Sequence, residues 1–328
     1  MTFLKPILTA SAAFALSTTM VSAQTQWDLS TAWGADNFHA QSAIAFADAV
    51  REQTGGSVDI TVHLSGEVGV GITEKLSAVE SGIVQMADML LFLQAGEAPF
   101  LAVDTLPYLI QGQDEMRTWL EIAGPTYDEI FAAHNQRVLY YVPWPSPGVY
   151  TTEPVVTAGD LEGQRIRAFN ATSFEFLERM GAAPVELPFG ELAAAVAAGT
   201  VDGAATSTST GVNSALYQFV DHFNPLNWSM SPDAVTVNLD AWNALTDEER
   251  EIIQGLADEM EADFWALSAA EDETQTAALV ENGMTISAAD ESLVAVMAEA
   301  GQAMWADFFE RVPEAQAVVE AYAAEVGK

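Results

Sequence analysis

Over residues 160–210 the hydrophobic pattern switches repeatedly between the two-residue period of strands and the 3.6-residue period of helices. Residues 164–169 read as a short strand that carries Arg165 and Arg167 among apolar neighbours. Residues 171–180 have helical spacing, with Phe174, Leu177 and Met180 three apart and Gly181 where a C-terminal cap belongs. A second strand follows at 185–187, an alanine-rich helix at 191–198 ended by Gly199, and a third strand at 201–205. Strand–helix–strand–helix–strand on this scale builds half of an open parallel sheet, which places the chain in the α/β class. Ligands of such sheets bind at the carboxyl ends of the strands, and here the first strand carries two arginines.

The rest of the chain repeats the alternation. Residues 27–33 read as a strand, and 38–54 as a helix with Ala43, Phe46, Ala47 and Val50 on one stripe. Residues 58–64 alternate cleanly as a strand with one covered face. The glycine-rich loop 66–71 lacks the lysine and the serine or threonine of a phosphate cradle. It leads into a helix with Ile72, Leu76 and Val79 on one stripe, then a buried strand within 83–93. Residues 114–135 are expected to be helical with a break at Gly124-Pro125, and 137–142 to be a strand. Three prolines within 143–147 cannot continue a ladder, so this segment reads as a crossing between domains. Residues 217–232 read as a loop region and 235–239 as a strand. Thr246 and Glu249 form a capping box at the start of a helical pattern that runs to Asn282-Gly283. That helix would span roughly 50 Å, too long for one small domain. Residues 289–324 read as terminal helices interrupted near Pro313.

Residues 1–23 carry one cation, Lys5, then an apolar stretch ending Val21-Ser22-Ala23, the layout of a secretory signal peptide. About 305 residues would remain, enough for two domains of ordinary size. The chain holds 47 acids against eleven lysines and arginines, a formal charge of −36, and no cysteine. Such a surface repels nucleic acid and anionic lipid. An anion site must therefore be local, built from few cations. The four histidines, His39, His63, His134 and His222, show no two-histidine metal spacing, and no Gly-x-Ser-x-Gly elbow occurs. His39, at the start of the first helix, is expected on the surface.

The organising stretch resembles the signature of the periplasmic solute-binding subunits of tripartite ATP-independent periplasmic (TRAP) transporters. The matching residues are Asp160-Leu161-Glu162-Gly163 with Arg165-Ile166-Arg167, then Gly181-Ala182-Ala183-Pro184-Val185. Pro188-Phe189-Gly190-Glu191-Leu192 and Gly199-Thr200-Val201-Asp202-Gly203 complete it in order. The resemblance implies a two-lobed α/β binding protein, each lobe an open, mostly parallel sheet flanked by helices, with a long helix spanning both. Residues 24–146 plus 235–273 would form lobe I, and 147–234 plus 274–328 lobe II. It further implies an exported, monomeric protein that captures a small organic acid and delivers it to TRAP membrane subunits, without catalysis or cofactor. The rivals are a periplasmic hydrolase using paired carboxylates and a subunit that presents its ligand to a sensor.

Arg167 matches the family's carboxylate-binding position, and a guanidinium fork suits a carboxylate. Alternation alone leaves Arg165 and Arg167 on one strand face. Thr206 matches a position where the family often has asparagine, with Ser207 beside it, while Ala205 replaces an acidic residue. The Glu-Trp pair of metal-chelate binders is absent, so no metal is expected. Sugar-acid binders of the resembled family often have a second arginine before the strand that opens the second lobe. The segment 145–150 has no cation, so the resemblance points to a ligand with one carboxylate or sulfonate. Trp33, Trp144, Tyr150, Phe169 and Trp228 lie near strand ends or crossings and are candidates for an aromatic wall. Asn170 and Glu74 are candidate polar contacts.

Overall fold

A computed structural model describes residues 24–328, so the leader expected at 1–23 lies outside the described residues. Two sheets carry the fold. The first half of the chain supplies β1 (Thr25–Ser30), α1 (Phe38–Gln53), β2 (Val58–His63), α2 (Lys75–Glu80), β3 (Met86–Leu90), α3 (Gln113–Ala133) and β4 (Gln136–Pro143). After the proline-rich crossing come β5 (Gly148–Thr151), β6 (Ile166–Ala168), α4 (Ala171–Arg179), β7 (Val185–Glu186), α5 (Leu192–Ala197), β8 (Gly203–Thr206), α6 (Thr208–Asn213) and β9 (His222–Asn224). The chain then returns through β10 (Pro232–Asn238), α7 (Leu239–Asn243) and α8 (Asp247–Glu281) to β11 (Thr285–Ile286), α9 (Glu291–Arg311) and α10 (Pro313–Val326).

Strand order is β2-β1-β3-β10-β4 in the first sheet and β11-β9-β5-β8-β6-β7 in the second. Within each sheet the strands joined by crossover helices run parallel. The exceptions are β10, antiparallel to β3 and β4, and β5, antiparallel to β8 and β9. Both are strands that enter from the other sheet. A strand arriving across the cleft starts at the cleft and runs away from it, whereas the crossover-linked strands end there.

Each sheet has apolar layers on two faces. Phe46, Val50, Ile253 and Phe264 cover one face of the first, and Trp119, Tyr127 and Phe131 the other. Phe176, Leu177, Leu293 and Met297 cover one face of the second, and Leu192, Val196 and Leu216 the other. The capping box at Thr246 starts a helix of 35 residues, α8, which packs on α1 and β4 and then on α6. Thr208 Oγ1 donates to Asp272 at 2.7 Å at that second contact.

Three expectations fail here. Helix α3 runs unbroken through Pro125. Its buried face, Met116, Trp119, Ala123, Tyr127 and Phe131, stays in register across the proline. Burying side chains of this size at about 1.5–3 kcal/mol each outweighs a penalty of about 3 kcal/mol for one proline. The loop region at 217–232 contains β9, whose three residues are too few to show a period. The tail does not stay with the second sheet. Although α9 packs on α4, α10 turns at Pro313 and packs on α3, with Tyr322 edge-on to Trp119 at 5.3 Å. Among the described residues no helix is long and apolar enough to cross a membrane.

Strands β5 and β8 approach closely at Gly203, where an added Cβ would lie 2.1 Å from the backbone oxygen of Tyr150. Backbone cannot yield as a flexible side chain does. Gly203→Ala is therefore expected to destabilise by about 1–3 kcal/mol, read as a fall of several degrees in thermal unfolding. An unchanged Tm would mean that the two strands are looser than described.

Candidate functional site

A cavity of about 340 Å³ lies between the two sheets. The first sheet contributes Trp33 after β1, Leu90, Phe92 and Leu93 at the end of β3, and Trp144 after β4. The second contributes Arg167 and Phe169 from β6, Glu186–Phe189 from β7, and Thr206 and Ser207 from β8. These are carboxyl ends of strands, the place the topology reserves for ligands.

Arg167 is only 4% exposed. Its Nε donates to the Leu187 carbonyl at 2.9 Å and its Nη1 to the Ala205 carbonyl at 3.2 Å. Because β6 lies between β7 and β8, the carbonyls at the ends of its two neighbours converge on the guanidinium. No ion pair to it forms among the described residues. Burial pushes its pKa down to about 10, partly opposed by the charge of Glu186, so it is cationic at neutral pH. Arg165 is different. It precedes the strand, is 47% exposed on its side chain, and pairs with Asp202 through Nη2–Oδ1 at 2.5 Å and Nε–Oδ2 at 3.0 Å. The alternation that left the two arginines equivalent is broken because β6 starts only at Ile166.

Six of the ten candidate residues line the cavity: Arg167, Phe169, Thr206, Ser207, Trp33 and Trp144. Phe169 packs on Phe92 at 5.5 Å and stacks on Trp228 at 6.4 Å. The Ser207 hydroxyl also accepts from the Thr210 amide at 3.3 Å, as the N-cap of α6. Four candidates do not line it. Glu74 turns back to accept from the Gly71 amide at 3.1 Å. Asn170 caps α4, accepting from the Ser173 amide at 2.8 Å, and its Nδ2 donates to Thr105. Tyr150 is fully buried and donates to the Ser207 carbonyl at 3.1 Å. Trp228 is buried behind Phe169 and acts on the cavity only through it.

The sequence reading passed over Glu186, Leu187 and Phe189. Glu186 ends β7 and the other two follow it, as Phe169 follows β6, so the strand-end rule applied to one strand would have found them at the next. It also missed a buried polar group behind Trp33 and Trp144. The signal was a lone acid in each of two buried strands, Asp88 in β3 and Asp233 in β10.

The site is a cleft between two α/β sheets with aromatic walls and a buried cation that forms no ion pair among the described residues. The chain belongs to the DctP family, bacterial extracellular solute-binding protein family 7, whose model matches residues 29–312. It is similar to DctP6 of Bordetella pertussis, an extracytoplasmic solute receptor binding pyroglutamic acid. The identity is 29%, the TM-score 0.87, and the match covers 92% of this chain and 100% of that one. A monocarboxylate 2-oxoacid-binding periplasmic protein of Nostoc sp. is 28% identical over 242 residues, which cover 70% of this chain and 64% of that protein. A solute-binding protein of Chromohalobacter salexigens is 23% identical, with 66% of this chain and 65% of that protein covered. The match thus spans just under two thirds of these curated relatives' length.

His39 corrects one expectation. It is not on the surface but 3% exposed, with its ring 4.5 Å from that of Trp144 and its Nδ1 3.6 Å from Asp233. The helix start faces inward because Phe38 and His39 both pack on Trp144 of the aromatic wall. Burial lowers its pKa to about 4, with the charge of Asp88 opposing. An unfolded histidine titrates near 6.5. Between those values the unfolded chain takes up the proton first, so stability falls as pH falls. Relative to a His39→Phe variant, the wild type is expected to lose about 2–3 kcal/mol between pH 7 and pH 4.5 in urea unfolding. A pH-independent difference would show that the imidazole is not held neutral.

Proposed function

We propose that this protein captures a small monocarboxylic acid, closes over it by hinge motion and delivers it to the membrane subunits of a TRAP transporter in the periplasm. The observation that carries this reading is Arg167, a buried cation held by two main-chain carbonyls and without a carboxylate partner among the described residues. A bound carboxylate would supply the missing charge through two parallel hydrogen bonds.

The ligand class follows from what surrounds the arginine. Glu186 is the other charged residue lining the cavity, so a second carboxylate on the ligand would meet an anion rather than a cation. Hydroxyls of Thr206, Ser207 and Thr73 serve a ligand hydroxyl, oxo or amide group, while Trp33, Trp144 and Phe169 suit a compact apolar body. The pyroglutamate receptor and the 2-oxoacid binder among the relatives support acids of this size. The moving bodies would be lobe I, residues 24–146 and 235–273 with α10 added, and lobe II, 147–234 with the rest of the tail. Export would follow cleavage after Ala23. No reaction is needed, and a bound acid should be recovered unchanged.

Thermal unfolding against pyroglutamate, short 2-oxo and hydroxy acids, uronates, dicarboxylates and sulfonates tests the reading. The matching monoacid at a hundred times its dissociation constant should add about 2.7 kcal/mol, a shift of several degrees. Arg167→Ala should abolish that shift. A shift that survives the substitution, or arises only with dicarboxylates, would overturn the assignment.

A further inference from the structure

Behind the aromatic wall the fold buries four ionisable side chains from four elements: His39 of α1, Lys75 of α2, Asp88 of β3 and Asp233 of β10. Asp233 is their centre. Its Oδ2 accepts the indole N–H of Trp33 at 3.1 Å and its Oδ1 that of Trp144 at 2.8 Å. Both tryptophans line the ligand cavity, and their rings meet edge to face at 4.8 Å. One carboxylate therefore fastens two wall residues that come from opposite ends of the first half of the chain.

A carboxylate oxygen of Asp88 lies within 4.8 Å of one of Asp233, and burial and this neighbouring acid raise the Asp233 pKa well above the usual carboxylate range. The Asp88 Oδ2 accepts from Thr31 Oγ1 at 2.7 Å, while its Oδ1 is buried without a donor among the described residues. Two buried carboxylates this close repel each other when both are ionised, and one bridging hydrogen would remove the repulsion and satisfy the orphaned oxygen. Charge count agrees. Lys75, whose Nζ donates to the Ser30 carbonyl at 2.8 Å, contributes one positive charge. The acid pair with one proton contributes one negative charge, and His39 and the nearby Tyr140 hydroxyl are neutral. The cluster is then neutral as a whole. The ligand atoms of His39, Asp88 and Asp233 also lie within 4.8 Å of one another, as a metal site requires. A divalent ion there would leave a net buried positive charge beside the Lys75 ammonium, so the proton is the better bridge.

We propose that Asp233, joined to Asp88 by a shared proton, is a positioning residue that locks the Trp33–Trp144 wall and thereby sets which acids the cavity accepts. It touches no ligand and acts through the two indoles. With the lock intact the wall presents a fixed face that favours compact acids. Without it each indole loses its acceptor, turns, and admits bulkier acids at the expense of compact ones. This selectivity rests on the acid-binding reading of the cavity; the lock itself does not.

The test uses the ligand-free protein first. In ¹⁵N-labelled protein, the indole N–H resonances of Trp33 and Trp144 are assigned with Trp33→Phe and Trp144→Phe. Both should move upfield in Asp233→Leu, and at least one in Asp233→Asn, which keeps a single acceptor oxygen. Asp88→Asn, whose amide N–H replaces the bridging hydrogen, should move them less than Asp233→Asn does. Calorimetric titration with pyroglutamate and glucuronate then reads selectivity. The pyroglutamate-to-glucuronate affinity ratio should fall about tenfold or more in Asp233→Leu, and by less in Asp233→Asn. Unmoved indole resonances in a folded Asp233→Asn protein would overturn the lock, and so would one equivalent of tightly held metal in purified wild type. Moved resonances with an unchanged affinity ratio would overturn the selectivity role. Should wild type bind neither acid, the ligand reading fails, while the resonances still decide the lock. If Asp233→Leu does not fold, the two asparagine variants carry the same decision.

Discussion

The rest of the site depends on a guanidinium held by main-chain carbonyls instead of by an acid. Arg167 sits on the middle strand of three, and Leu187 and Ala205 at the ends of its neighbours point their oxygens at it. Carbonyl dipoles fix the fork in place but do not neutralise it. In a chain with 47 acids, leaving Arg167 buried without an ion pair among the described residues is a strong constraint on the surrounding residues. Arg165, two positions away, shows the ordinary outcome: it is half-exposed and bonded to Asp202.

That local arrangement reconciles the protein's charge with the anionic ligand proposed for it. A net charge of −36 repels anions at long range, but salt screens such a field within about 10 Å. Inside the cleft, interactions are governed by the nearest groups in a medium of lower dielectric. The two sheets divide the work. The second supplies the cation and hydroxyls from the ends of β6 and β8, and the first supplies an aromatic wall anchored on buried acids.

Much of this architecture was legible from periodicity. The capping box at Thr246, the alternation at 58–64 and the prolines of 143–147 each have a local cause, and local causes survive into the fold. Arg167 was singled out by a motif rather than by alternation, which could not separate it from Arg165. What separated them was the short span of β6, whose start is set by pairing with β8. The unbroken α3 and the inward-facing His39 were misread for a related reason. Proline and a helix-start histidine have strong local preferences, and in both places packing against distant residues outweighed them.

By itself the sequence determined the α/β class, the two-part organisation and the long α8. These follow from hydrophobic period, caps and breakers, which act over a few residues. Only the tertiary structure decided which polar side chains are left without partners. Asp88 and Asp233 lie far apart in the chain, and nothing local says that their carboxyls will meet or that two indoles will share one of them. Hydrogen-bond satisfaction is settled by what long-range packing brings within about 3 Å.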